Sequence, residues 1–166
     1  KKIKISAEVD LVSSLWTDRP ELPFSEAFEH ELRFCGQDRD EKIAKVREWL
    51  LSIGADYNLL TSADDIMWLL NIRGRDTEFS PLILSFALVG NEQVLLFVDV
   101  QKVPYKLASK FDKSGIVILP YEAVTAVLSS LSDNKVLLIN PASTSVSLYK
   151  SISKKTRIKE DISIPS

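Results

Sequence analysis

From Gly36 onward the chain alternates between two hydrophobic periods. Ile43, Val46, Leu50 and Ile53 recur at steps of three and four, the stripe of an amphipathic helix. Asp38 followed by Glu41 reads as a capping box ahead of it, and Gly54 as its stop. "DYNLLTS" then has the length and apolar content of a short buried strand. Ser62 is placed to cap a second helix, with Asp65 at its third position and Ile66, Met67, Leu69 and Leu70 on or near its inner face. "PLILSFALV" and "QVLLFVDV", joined across Gly90-Asn91-Glu92, predict an antiparallel hairpin.

The second half repeats strand and helix. A helix from about Pro104 leads to a strand in "GIVILP", and "YEAVTAVLSSL" reads as the next helix. A strand in "KVLLIN", a helix in "STSVSLYKSI" and a strand in "TRIKE" follow. Tyr121, Val124, Leu128 and Leu131 fall on one helical stripe, which predicts core packing and not a cofactor site. Such alternation builds a three-layer α/β/α domain around a mixed, mainly parallel sheet, here with a hairpin in its first half.

Residues 9–35 have no such period: they hold two close prolines in "DRPELPF" and the acidic run "SEAFEHE". The expected division is therefore an irregular lead-in over 1–35 packed on the domain, the α/β domain over 36–160, and the start of a linker over 161–166. The acids of the lead-in are expected to be solvated, and His30 between Glu29 and Glu31 to lie at the surface. The start, "KKIKISAEVD", has neither a signal-peptide core nor an initiator methionine, and "IKEDISIPS" has no marked stop. Both ends are expected to be cuts from a longer chain.

A length of 166 residues suits one domain with a core, and 45% hydrophobic with 27% charged residues is an ordinary globular balance. A net charge of −2 leaves no basic excess for phosphates, which argues against a nucleic-acid partner. No apolar run reaches the roughly 20 residues needed to cross a bilayer. The one cysteine, Cys35, is expected to be buried or half-buried, and the chain to belong to the cytoplasm.

Catalytic sets are missing from the motifs. Neither G-x-G-x-x-G after a strand nor G-x-x-x-x-G-K-[ST] occurs, and five glycines are few for a phosphate cradle. One histidine leaves no zinc cluster and no ready triad. Asp64 and Asp65, adjacent on a helix, diverge by about 100° and suit the positive end of the helix dipole better than paired catalysis.

The stretch "DDIMWLLNIRGRDTEFSPLILSFALV" is different. It resembles the middle, creatinase-N-like domain of long-form aminopeptidase P, the Xaa-Pro aminopeptidases of the creatinase/prolidase superfamily, where L-D-x-I-A-W-L-x-N-x-R-G-x-D-x-x-x-x-P precedes an apolar strand. Asp64, Ile66, Trp68, Leu69, Asn71, Arg73, Gly74, Asp76 and Pro81 match; Ala63 and Met67 depart, with residues a helix accepts. "VDLVSSLWTDRPELP", "FCGQDRDEKIAKVREWL", which resembles the family's Y-x-G-x-x-x-x-x-K-I helix start, "LLFVD" and "LPYEAV" continue the resemblance in order.

The resemblance implies a creatinase N-terminal-domain, ribonuclease H-like arrangement without catalytic residues of its own. Two divalent metals, usually manganese, would lie in a separate catalytic domain, bound by two aspartates, a histidine and two glutamates. The expected role is to pack on that domain and wall the entrance for peptides with proline in second position; a homodimeric parent is compatible with it. Arg73, Asp76 and Trp68 are the candidates for the substrate entrance or the domain interface. Gly74 would permit a tight reversal that leaves the loop tip facing outward. For Trp68 the expected role is core packing beside Leu69, with a ring facing the substrate channel as the alternative; for Arg73 and Asp76 the plainer alternative is a pair with each other across the turn. A free-standing interaction or small-molecule-binding module stands as the competing function; a nuclease would need a carboxylate cluster or basic surface that is not evident.

Overall fold

The structure, a computed structural model, describes Val12 and residues 15–162. Six strands form the main sheet: β2 (Tyr57–Leu60), β4 (Ser85–Gly90), β5 (Val94–Val98), β6 (Ile116–Leu119), β7 (Val136–Ile139) and β8 (Arg157–Glu160). They are ordered β6-β5-β4-β2-β7-β8. The β5–β6, β2–β7 and β7–β8 pairs are parallel, and β4 runs antiparallel to both its neighbours. Five strands therefore point one way and β4 alone is reversed, which is the mixed, mainly parallel sheet expected from the sequence.

The period of two along each strand sorts side chains to two cores. Leu60, Ala87, Val89, Val94, Leu96, Val98 and Leu138 face α2 (Arg39–Ser52), α3 (Ala63–Leu70) and α4 (Tyr105–Lys113). Leu59, Leu88, Phe97, Leu137 and Ile139 face α5 (Ala123–Ser129) and α6 (Val146–Ser151). Both faces are covered, as continuous apolar strands such as "VLLFV" and "VLLI" require.

Two helix starts differ from the expected capping. Asp38 accepts from the amide of Asp40 (2.9 Å), one position short of a capping box. The Ser62 hydroxyl donates to Asp64 Oδ1 (2.6 Å) and does not cap. That bond, assisted by the amides of Asp64 and Asp65, outweighs burial and holds the Asp64 carboxyl below its usual range.

The lead-in is more ordered than its sequence suggests. A two-residue strand β1 (Phe28–Glu29) pairs antiparallel with β3 (Ile72–Arg73), and a single turn α1 (Leu32–Cys35) ends at Gly36 in the left-handed region. Glu29 is not a solvated acid: Arg39 of α2 and Lys110 of α4 both hold it, which clamps the ribbon against two helices. His30 is half-buried and stacks on Phe34, and Cys35 is half-buried as expected. The expected linker lies outside the described residues apart from Asp161 and Ile162, as does most of 1–14.

Two polar anchors hold this frame. Asp76, with its side chain 0% exposed, forms an ion pair with Lys102 at 4% (Oδ2–Nζ, 2.6 Å). The same carboxylate accepts from the amide of Leu84 (2.9 Å) and the hydroxyl of Ser25 (3.0 Å), while Lys102 also donates to the carbonyl of Pro23 (2.8 Å). At the start of the sheet, Asp56 accepts from Lys135 and from the amide of Val136 (2.8 Å each), joining the residue just before β2 to the start of β7. Burial pushes the Asp56 carboxyl up, but those two bonds and the charges of Lys135 and Arg157 outweigh it and hold its pKa below the usual range.

Removing one member of the buried pair leaves the other charge uncompensated, so Asp76→Ala is expected to lower unfolding free energy in urea by about 3–5 kcal/mol. Replacing both with apolar residues of similar size, Asp76→Leu with Lys102→Met, is expected to cost less than the single change. For Asp56, a folded pKa below the unfolded one means its stabilisation is complete above about pH 4 and lost as pH falls through the folded value. Asp56→Asn is therefore expected to lower the Tm at pH 7 and to make little difference at pH 2.

Candidate substrate-entrance edge

Helix α3 ends where the resemblance to aminopeptidase P is most specific. Residues 66 to 70 are all apolar, and five successive residues stepping by about 100° cannot all face inward. Ile66, Met67, Leu69 and Leu70 fill the inner arc, at most 1% exposed. Trp68, in the middle of the run, points away from that arc and is 41% exposed. Core packing of Trp68 is thus overturned, and helical geometry gives the reason.

Asn71 closes the helix in the left-handed region (φ 51°), which asparagine tolerates better than most residues with a Cβ. Its side chain donates to the carbonyl of Gln37 (2.9 Å) and accepts from Lys42 Nζ (2.7 Å). Its own carbonyl accepts from the amide of His30 (2.8 Å), which brings the end of β1 alongside. Lys42 Nζ also donates to the carbonyl of Trp68 (2.9 Å) and lies 4.6 Å from the centroid of its ring. Lys42 is 2% exposed. Burial pushes its ammonium below the usual lysine range; Cys35 opposes this, Arg73 adds to it and Asp38 opposes it.

Beyond Asn71 the β1–β3 ribbon sets the outer edge. Phe28 is paired directly opposite Arg73, and Glu29 opposite Ile72. Opposed residues of an antiparallel pair share a face, so Phe28, 46% exposed, stands beside Arg73 on one side while buried Ile72 lies on the other. The Arg73 guanidinium donates through Nη1 to the carbonyls of Met67 (3.0 Å) and Ile72 (2.8 Å). It is half-buried, and among its described contacts none is to a carboxylate.

The loop that follows departs from expectation at two residues. Asp76 does not pair with Arg73 and does not face outward: Lys102, Ser25 and Leu84 hold it inside. Gly74 is needed for close approach and not for a reversal, since a Cβ there would lie 2.1 Å from Ile83 Cγ1 and 3.2 Å from Ser25 Oγ. Of the three sequence candidates, the structure brings Trp68 and Arg73 to the same helix end and turns Asp76 into the anchor beneath the loop. Lys42 entered the sequence reading only as the lysine of the K-I pair in the helix-start pattern, with no role assigned to it. It occupies the helical stripe of Val46 and Leu50, four and eight positions on, and a lysine on an apolar stripe is the signal that marks it.

A separate cleft of about 680 Å3 lies beside Lys102, bordered by Leu22, Phe24, Asp99, Tyr121 and Glu122. Among the described residues no group of three or more His, Cys, Asp or Glu side chains could hold a metal ion, so the residues present do not fit the two-metal centre that the resemblance implies. No described helix is long and apolar enough to cross a membrane.

Comparison with known proteins bears on this arrangement. Residues 18–165 match the family model of the creatinase/prolidase N-terminal domain. Xaa-Pro aminopeptidase 1 of Dictyostelium discoideum is 40% identical over 135 residues, which covers 81% of this chain and 21% of that protein. Aminopeptidase P2 of Arabidopsis thaliana is 31% identical over 148 residues, 86% of this chain and 21% of that one. The chain thus spans about a fifth of the length of these relatives. The crystal structure of X-prolyl aminopeptidase from Caenorhabditis elegans, described as a cytosolic enzyme with a dinuclear active site, superposes with a TM-score of 0.84 at 28% identity, over 95% of this chain and 27% of that one. The N-terminal domain of a metallopeptidase from Corynebacterium diphtheriae shares the fold alone, with a TM-score of 0.54 at 14% identity. By sequence and by fold, the chain belongs to the creatinase/prolidase N-terminal domain family.

Proposed function

We propose that this chain is the non-catalytic domain of an Xaa-Pro aminopeptidase, a cytoplasmic metallopeptidase that removes the N-terminal residue from peptides with proline in second position. Residues 36–160 form its body, the lead-in packs on that body, and the domain docks on a catalytic domain that supplies both metals. Its own contribution is a wall at the substrate entrance, built by Trp68 and Arg73. The observation that carries the reading is this rigid edge, where an indole 41% exposed and a guanidinium without a carboxylate partner among its described contacts are held at one helix end. An exposed aromatic ring and a cation are the groups that a proline-containing peptide and its carbonyl oxygens would meet. The likeness to aminopeptidases from an amoeba, a plant and a nematode supports the peptidase context. Asp76 contributes from below, by holding the loop.

The competing reading, a free-standing module for a small ligand, draws on the cleft beside Lys102, whose volume of about 680 Å3 is within the range of ligand pockets. The open reading frame of the parent gene separates the two at once: five metal ligands in a downstream domain support the peptidase, and their absence supports the module.

Two outcomes are expected. The chain by itself shows no Xaa-Pro peptidase activity and no stoichiometric, tight manganese binding by calorimetry; either result in the positive would overturn the non-catalytic reading. In the full-length enzyme, Arg73→Ala is expected to lower kcat/KM about tenfold or more, the loss of one charge-assisted contact of roughly 1.5–3 kcal/mol. Its Tm is expected to stay within a few degrees. An unchanged kcat/KM would leave Arg73 with a structural role only.

A further inference from the structure

A lysine is among the least common residues to be fully buried, because its ammonium must recover in the interior the hydrogen bonds it had in water. Lys42 is 2% exposed and recovers them from one neighbourhood. Two of its three donors go to the carbonyl of Trp68 and to Oδ1 of Asn71, and its charge lies 4.6 Å from the centre of the Trp68 ring. All three contacts fall on the last residues of α3, where the chain turns into β3 and Arg73. An apolar side chain would fill the same stripe of α2 without desolvating a charge, so packing alone gives no reason for a lysine here. What the ammonium adds is direction, because it sets the ring and the left-handed turn together.

We propose that Lys42 is the positioning residue of the substrate-entrance edge: through Trp68 and Asn71 it fixes the indole face and the start of β3, and so the places of Trp68 and Arg73 relative to the peptide. This rests on the entrance reading above. The geometry is a brace with two arms. One arm holds the backbone of Trp68 by its carbonyl and its ring by cation–π attraction. The other holds Asn71, whose Nδ2 is fixed in turn on the carbonyl of Gln37, the residue just before the cap of α2. Arg73 then closes the frame by donating back to the carbonyl of Met67 in the same helix turn. Lys42 itself touches no substrate; with its nitrogen beneath the helix end, it acts through the two residues above it.

The test is a double-mutant cycle in the full-length enzyme, with KM and kcat measured separately on a peptide with proline in second position. Trp68→Ala and Lys42→Met are each expected to raise KM about tenfold, since misplacing a positioning contact by about 1 Å can cost up to a hundredfold. Both are expected to leave kcat within about twofold, because edge contacts act on substrate and transition state alike. Because Lys42 acts through the indole on one arm and through Asn71 and Arg73 on the other, the double variant is expected to bind worse than Trp68→Ala alone by less than the full Lys42→Met effect, and Lys42→Met added to Trp68→Ala with Arg73→Ala is expected to change KM no further. A double variant whose KM rises by the product of the two single effects would overturn the proposal, as would Lys42→Met leaving KM unchanged where Trp68→Ala raises it. Should Lys42→Met fail to fold, Lys42→Gln, which keeps two N–H donors on a shorter side chain but loses the charge, runs the same cycle with a smaller expected rise in KM. If Trp68→Ala and Arg73→Ala both leave KM and kcat unaltered, the entrance reading itself fails, and the proposal with it.

Discussion

The ion pair between Asp76 and Lys102 is the contact on which the loop after Arg73 and the lead-in both depend. Neither charge has water to fall back on, so each must find its partner in the interior, and the bonds that complete them reach two further stretches of chain, the lead-in and the entry to β4. Asp76 gathers Ser25 and the amide ahead of β4; Lys102 gathers Pro23 through its side chain and Ala27 through its carbonyl. The lead-in is thereby fixed just before it becomes β1. Since β1 is only two residues long, its own ladder with β3 could not hold that position. The ion pair and the Glu29 clamp do so, and the outer edge inherits its place from them.

Most of the main sheet could be read from periodicity, because all of its strands except β8 carry apolar residues on both faces and each helix a stripe of three- and four-residue steps. The β1–β3 ribbon could not, since two residues have no period and their pairing is a matter of tertiary distance. Trp68 is the instructive case within reach of the sequence. The run Ile66-Met67-Trp68-Leu69-Leu70 looks uniformly apolar, yet the wheel of a helix leaves its middle residue outside. Asp76 lay beyond reach: the nearby arginines suggested a local partner, whereas the true one is Lys102 on the far side of the β4–β5 hairpin. Lys42 sat in view on an apolar stripe, but only the fold shows which polar atoms wait for it.

The described residues bring no carboxylate or histidine cluster together, and the buried polar atoms they do bring together are spent on placing a turn. Buried lysines serve that end twice, Lys102 beneath the loop and Lys42 beneath the helix, each drawing on backbone carbonyls as well as on one acidic or amide side chain. In the proposed role, a domain at the edge of a neighbour's site needs this kind of stiffness more than it needs reactive groups of its own.

The position of β2 in the sheet also sets an order of assembly. Its antiparallel neighbour β4 follows closely in sequence, and β5 closes on β4 through a tight turn, so these three strands can pair while the remainder of the chain is still being made. Its parallel neighbour β7 begins only at Val136, and β8 later still. Until then one long side of β2 carries unpaired amides and carbonyls beside Leu59 and Leu60, a template open to any strand that arrives first. Strands β2, β4 and β5 are thus the half of the sheet that near-sequence pairing can build, and the contact of Asp56 with Lys135 and Val136 is where the distant half joins it.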